Sequence, residues 1–296
     1  MTTDGDQPVL VYDVGGSHVS AALCENGTYR LGPVASASHA DSQTAEGFLH
    51  LVHSLGKQAA NGSSACGAQL AMPGPFDFDS GVSLMEHKLP YLYGLNLREL
   101  LARRFGWQPE QVRFVHDAAA FLLGEIGAGA ARGVHRAIGI TLGTGIGSAY
   151  SVDGCLVTDG SGVPPGGEIW NLPYEAGIVE DSISARAIQK SYERHTKLHA
   201  EAVDIAAKAG DDTAASQAFT EFGRHLGSVL RSVAGEFRPD VLILGGGIAR
   251  SACLFLPPAH SELADLNLRL KVSELGDEAA LVGAAVAWRT GCNVPR

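Results

Sequence analysis

Cysteine is scarce and unpatterned in this chain: Cys24, Cys66, Cys155, Cys253 and Cys292 are scattered, and no CxxC pair occurs. An odd, dispersed set supports neither a disulfide framework nor a zinc knuckle, and it fits buried free thiols in a reducing cytoplasm. No apolar run reaches the ~18 residues that a membrane helix needs, so no span is expected. Met1 to Pro8 is short and polar with a strand pattern directly after it, so no signal peptide is expected. Positive charge is also in short supply, with 22 Lys and Arg against 32 Asp and Glu and a net charge of −10. That balance argues against general nucleic-acid binding, which needs a basic footprint. It leaves nucleotide binding open, because local N–H donors and a metal ion can handle phosphates.

Glycine, by contrast, is plentiful: 37 residues, clustered in apolar runs. A 45% hydrophobic and 18% charged composition is that of a globular protein. The length of 296 residues suggests about two domains of ~150 residues, each large enough to bury a core.

Near the midpoint, an apolar run from Ala137 to Leu142 enters Gly143-Thr144-Gly145-Ile146-Gly147, and a second run from Ser148 to Val152 leaves it. Glycine at this density permits positive φ and clears side chains from a place of close approach. The free N–H groups of such a turn, with the Thr144 hydroxyl, form a concave anion site, so the stretch reads as a β-hairpin whose turn holds phosphate. Alone it reads equally well as a turn with no ligand. A second unit of the same design opens the chain. Val9 to Asp13 is a strand, Gly15-Gly16-Ser17 a turn, Val19 to Cys24 a second strand, Asn26-Gly27 a hairpin turn, and Thr28 to Leu31 a third strand. Asp153-Gly154 follows the central hairpin as Asn26-Gly27 follows the first. Two copies ~130 residues apart predict two related domains facing across a cleft, with a nucleotide against both turns.

Other segments carry two readings each. Asp13 can cap its own turn or hold Mg²⁺ through water. Ala45 to Gln58 is an amphipathic helix, and the strand from Gly67 to Met72 ends in Pro73-Gly74-Pro75, a rigid turn or the border of a ligand crevice. The strand from Val112 to Val115 delivers His116-Asp117 to a helix from Ala118 to Ile126. Asp117 can cap that helix or accept a proton from a substrate hydroxyl. Glu168, Asn171 and the Glu180-Asp181 pair, which opens a helix from Ser182 to Tyr192, can bind a polyol or stay solvated. A long helix from Thr220 to Phe237 and a strand from Asp240 to Leu244 lead into Gly245-Gly246-Gly247, without the GxGxxG spacing of a dinucleotide site. Lys271 to Leu275 is a strand, and Glu278 to Thr290 a helix.

Taken together these motifs resemble the ROK family of bacterial sugar kinases and related repressors. The residues that carry it are Asp13-Val14-Gly15-Gly16-Ser17, Asp117-Ala118-Ala119-Ala120 with Gly124-Glu125, Leu142 to Gly147, Gly167-Glu168, Leu244 to Ile248 and Gly283-Ala284-Ala285. The resemblance implies an α/β chain with two actin/hexokinase-like (ribonuclease H-like) domains, 1–117 with the C-terminal 278–296, and 118–277. It implies ATP-dependent phosphorylation of a hexose hydroxyl, glucose-like by default, in a cytoplasmic homodimer. Asp117 would be the general base, Asp13 would help place Mg²⁺, and Gly15, Gly16, Ser17, Gly143, Thr144, Gly145 and Gly245 to Gly247 would bind the nucleotide. Gly74, His116, Glu168, Asn171 and Glu180 would contact the sugar. Three departures stand out: His116 replaces the family's Asn, Trp170-Asn171 replaces Gly-His, and the cysteine-rich zinc loop is missing before Glu180. No zinc is therefore expected, and sugar recognition must differ, with Trp170 placed to stack on a sugar face. The alternatives are a sugar or nucleotide binder of weak activity, a polyphosphate-dependent glucokinase, and a regulator. The eight residues before Val9 are too few for a helix-turn-helix.

Overall fold

A computed structural model describes residues 7–25, 27–39, 43–266 and 268–291. Asn26 and Cys292 lie outside them. The chain divides into two compact units, Met1–Arg132 with Asp277–Arg296, and Gly133–Gly276.

The first unit holds strands β1 (Val9–Val14), β2 (His18–Cys24), β3 (Ala35–Ser38), β4 (Ala68–Met72) and β7 (Val112–His116). Their order is β3-β2-β1-β4-β7, antiparallel from β3 to β1 and parallel from β1 to β7. A small hairpin, β5 (Phe76–Asp77) and β6 (Val82–Ser83), follows β4. The helices are α1 (Ala45–Ala60), α2 (Leu97–Phe105), α3 (Asp117–Gly127) and α9 (Ala279–Thr290). Strand β1 is buried on both faces, and its period of two sorts its side chains. Leu10, Tyr12 and Val14 join Phe48, Val52 and Leu55 of α1. Val9 and Val11 join Leu281, Ala284 and Ala285 of α9. Thr44 caps α1, its hydroxyl accepting the Gly47 N–H at 3.1 Å.

The expected third strand from Thr28 to Leu31 is not formed. Leu31 makes one isolated bridge to Cys24, Tyr29 sits at φ 54°, and the strand that completes the meander is β3. Gly32-Pro33 lies between the bridge and β3, and proline cannot donate to a ladder.

The second unit repeats this plan with β8 (Arg136–Leu142), β9 (Ile146–Val152), β10 (Cys155–Val157), β13 (Val241–Gly245) and β14 (Arg269–Val272). Their order is β10-β9-β8-β13-β14, again antiparallel over three strands and parallel over the rest. Asp153 and Gly154, at φ 51° and 77°, make the tight turn into β10. A two-stranded hairpin, β11 (Pro173–Tyr174) and β12 (Gly177–Ile178), precedes α4 (Val179–Ser182). Helices α5 (Ala185–Thr196), α6 (Ala202–Lys208), α7 (Thr213–Phe237) and α8 (Ala252–Glu262) complete the unit. The single helix expected from Ser182 to Tyr192 is two helices, because Ser184 takes an extended conformation and caps α5 with its hydroxyl on the Ala187 N–H. Strands β8 and β9 pack Ile138, Ile140 and Tyr150 against Phe219, Leu226, Leu230 and Phe237 of α7. Of the cysteines described, only Cys24 is buried, whereas Cys155 on the edge strand and Cys253 on α8 are exposed.

Helix α3 belongs with the first unit because it lies directly on the backbone of α9. A Cβ at Gly283 would fall inside the carbonyl of Ala120, and one at Gly124 inside the carbonyl of Ala279. Neither obstacle is a side chain that can swing away. Gly283→Val is therefore expected to lower stability by ~2–3 kcal/mol, as overpacking does. Urea denaturation reads this as a lower midpoint, and an unchanged midpoint would show that the helices part freely.

Candidate active site

Within the first unit, the ends of β1, β4 and β7 bring four of the sequence-selected residues together. Asp13 is the one charged residue of β1, partly buried, on the face that carries Val9 and Val11 toward α9. Burial pushes its carboxyl up to about 7, with the nearby charges of Asp117 and Asp277 adding to the rise. Asp277, just before α9, is a carboxylate that the sequence reading passed over, since a Gly-Asp-Glu run before a helix looks like ordinary first-turn acid.

Asp117 is the first helical residue of α3, and the N-cap position is taken by His116. Its Oδ1 accepts the Ala118 N–H at 2.7 Å, and His116 Nε2 stands 3.4 Å from the same oxygen. The Asp117 side chain remains 36% exposed, which leaves it open to a substrate. The His116 ring meets Phe78 edge-on and faces Gly74, where a Cβ would stand 3.8 Å from it.

The glycine turns correct one expectation. None of Gly15, Gly16, Gly143, Gly145 and Gly147 is among the positive-φ glycines, so handedness does not explain them. The Gly15 N–H donates to the His18 carbonyl at 2.9 Å, and the Gly143 N–H to the Gly145 carbonyl at 2.9 Å, which closes both turns with negative-φ residues. Space explains them better. A Cβ at Gly16 would meet no atom within 4 Å, and one at Gly143 only the Gly145 carbonyl, at 4.0 Å. The chain itself does not demand glycine there, whereas a ligand lying on the backbone would. Gly145 is different, because a Cβ there would strike the Glu180 carboxylate. Gly246 is also structural: it has φ 84°, and its Cβ would run into Leu142. Next to it, Gly247 is open.

In the second unit Glu168 and Glu180 are held by different partners. The Ser148 hydroxyl donates to the Gly167 carbonyl at 2.7 Å and accepts the Ile169 N–H at 3.1 Å, which fixes the backbone on both sides of Glu168. Ser148 also escaped the sequence reading, although a buried hydroxyl in an apolar strand was the available signal. The indole N–H of Trp170 donates to Glu168 Oε2 at 2.7 Å, and the residue is 40% exposed. Glu180 lies in α4, its N–H on the Trp170 carbonyl at 3.0 Å. Its Oε2 accepts the Ile146 N–H at 3.3 Å, at the edge of the central glycine turn, and Arg186 stands 3.8 Å from its Oε1. Asn171 and Thr144 are exposed.

Two five-stranded sheets of one mixed topology, each opened by a glycine hairpin, define the actin/hexokinase-like class. A sequence model of the ROK family matches residues 9–290, and the chain belongs to that family. It is 29% identical over 259 residues to a glucokinase of Thermotoga maritima, covering 77% of this chain and 80% of that one. An N-acetyl-D-glucosamine kinase of Aliivibrio salmonicida is 25% identical, over 93% of this chain and 97% of its own. The crystal structure of a ROK family glucokinase from Streptomyces griseus, in complex with glucose and AMPPNP, superposes with a TM-score of 0.80 at 23% identity, covering 94% and 98% of the two chains. Among the described residues no helix is long and apolar enough to cross a membrane.

Asp13 generates a test that needs no substrate. A carboxyl raised from 3.8 to about 7 binds its proton more tightly in the folded chain, so ionising it costs stability as pH climbs between those values. Asp13→Asn should match the parent near pH 4 and exceed it above pH 7, by on the order of 2–4 kcal/mol. Urea midpoints at pH 5 and pH 8 would show the gap widening. Equal midpoints at pH 8 would mean that Asp13 bears no such burden.

Proposed function

We propose that this protein is a sugar kinase that transfers the γ-phosphoryl group of ATP to a hexose hydroxyl, the 6-hydroxyl of glucose or a related sugar. The observation that carries this reading is Asp117, a partly exposed carboxylate at the N-terminus of α3, in a ROK chain whose glycine turns leave room for a ligand. The named activities of its relatives, glucokinase and N-acetylglucosamine kinase, point the same way.

In this reading the sugar hydroxyl gives its proton to Asp117 as its oxygen bonds to the γ-phosphorus, and the bond from that phosphorus to the bridging oxygen breaks, releasing ADP. Such a reaction relies chiefly on positioning and charge stabilisation. Oδ1 is already committed to the Ala118 N–H, which fixes the carboxylate's direction. In the first unit the N–H groups and open glycine at Gly15-Gly16-Ser17 would take phosphate and His116 a sugar hydroxyl; in the second unit Gly143-Thr144-Gly145 would take phosphate, and Glu168, Glu180 and Asn171 sugar hydroxyls. Mg²⁺ would fit beside Asp13, because a partly buried carboxyl with two others nearby gains from a cation and offers the oxygen that Mg²⁺ prefers. Among the described residues no group of three or more His, Cys, Asp or Glu could hold a metal ion. Bound beside Asp13, Mg²⁺ would neutralise phosphate charge.

Coupled ADP release across glucose, mannose and N-acetylated amino sugars tests the reading. Asp117→Asn should cut kcat by 10²–10⁴ and leave the sugar Kd within threefold, as loss of a general base does. No turnover of any sugar by the parent chain, or full turnover by the variant, would overturn it; sugar binding without turnover would favour a binder, and turnover with polyphosphate alone another donor.

If Glu168 holds the sugar, its hydrogen bond from Trp170 would put the indole on the wall of the sugar pocket. Trp170→Phe keeps a ring but loses the indole N–H, and Trp170→Ala loses both. A rise in sugar KM of roughly threefold for Phe and tenfold or more for Ala is expected, from ~0.5–1.5 kcal/mol per lost contact. Equal KM in all three chains would place the indole outside the pocket.

A further inference from the structure

We propose that His39, which no motif singled out, is a positioning residue that aims the first glycine turn at phosphate. This rests on reading Gly15-Gly16-Ser17 as a phosphate cradle.

His39 follows strand β3 and is 5% exposed, a buried polar ring beside an open turn. Its Nε2 lies 3.1 Å from the Gly15 carbonyl, and its Nδ1 3.3 Å from the Tyr91 hydroxyl. One neutral tautomer satisfies both contacts: Nε2–H donates to Gly15, and Nδ1 accepts from Tyr91. The same residue's backbone N–H donates to the Ser17 carbonyl at 3.1 Å, and the Ser38 hydroxyl donates to that carbonyl at 3.2 Å. Two carbonyls of the turn are thus tied to the end of β3.

The consequence follows from the planar trans peptide. In each unit the C=O of one residue and the N–H of the next point in opposite directions. Holding the Gly15 carbonyl against His39 turns the Gly16 N–H away from His39. Holding the Ser17 carbonyl does the same for the His18 N–H. Gly16 is also the position where a Cβ would meet nothing within 4 Å. His39 would therefore touch no ligand and act through the peptide between Gly15 and Gly16. Without it that peptide could rotate, since glycine resists rotation least of all residues. Tyr91 in turn selects the tautomer by supplying the hydrogen to Nδ1.

The test uses the full chain with pyrophosphate and ADP as probes, read by the Gly16 amide resonance and by calorimetry, with glucose binding as the control. In the parent chain both probes should shift the Gly16 amide. His39→Phe keeps a ring and removes both hydrogen bonds; it should weaken pyrophosphate and ADP about tenfold and leave glucose within twofold, as loss of one oriented donor would. His39→Gln, which can still donate to the Gly15 carbonyl, should recover most of the loss, and Tyr91→Phe should fall between. An equal loss for phosphate probes and glucose in His39→Phe would reduce His39 to a packing residue and overturn the proposal. So would a failure of His39→Gln to recover affinity, or a parent Gly16 amide that ignores both probes. Intact phosphate binding at Gly16 without phosphorylation of any sugar would count against the kinase reading alone and would still support the role of His39.

Discussion

A carboxylate at the end of a strand buried on both faces is the constraint to which the first unit is fitted. Val9, Val11 and Asp13 share the face of β1 that meets α9. Asp117 begins α3, and Asp277 stands just before α9. The two helices are locked through Gly124 on Ala279 and Gly283 on Ala120. That backbone contact fixes where both helices start, and so brings two further carboxylates close enough to raise Asp13. A helix N-terminus tolerates one acid well. Three acids near one position is a different matter, since the charges of Asp117 and Asp277 both oppose ionisation of Asp13. The arrangement stores unfavourable charge that a cation would relieve. A stability optimum would not keep Asp13 there, and in the proposed reading a phosphoryl-transfer site would.

Much of the fold was legible because its strongest signal is periodic and repeated. The two glycine hairpins and the strands after them appear in both units with the same sheet order. The errors fell where one residue decides the outcome. Thr28 to Leu31 has strand composition, but Tyr29 adopts positive φ and Gly32-Pro33 interrupts the ladder. Ser182 to Tyr192 has helical composition, but Ser184 prefers to cap and splits it. Periodicity reports burial averaged over a segment, and such breaks are set by a single backbone angle.

The site was legible in part for a related reason. Residues proposed to act at a strand end or inside a glycine turn leave a local mark, and Asp13, Gly16, Gly143 and Asp117 were singled out by it. Residues that hold those groups in place do not. Ser148 fixes the backbone around Glu168 from 20 positions earlier, a distance in sequence that no short motif spans. His39 reaches Gly15 from 24 positions later, and Tyr91 reaches His39 from 52 beyond that. Only the pairing of β2 with β3 makes the first of these contacts local in space.

The glycines then sort themselves by what a side chain would cost. At Gly283, Gly124 and Gly246 the cost falls on the protein's own backbone, so these positions speak for packing and say nothing of a ligand. At Gly16, Gly143 and Gly247 a Cβ would cost the chain nothing, in space or in φ. A glycine there lowers stability relative to alanine by widening the unfolded ensemble, by about 0.5–1 kcal/mol each. Gly210 and Gly235 are open in the same way, so openness alone marks no ligand; what sets Gly16, Gly143 and Gly247 apart is that each follows a strand end in a segment proposed to bind phosphate or adenosine. In the first unit, space kept clear at Gly16, over peptides whose carbonyls are tied back at Gly15 and Ser17, is what a bound phosphate would require.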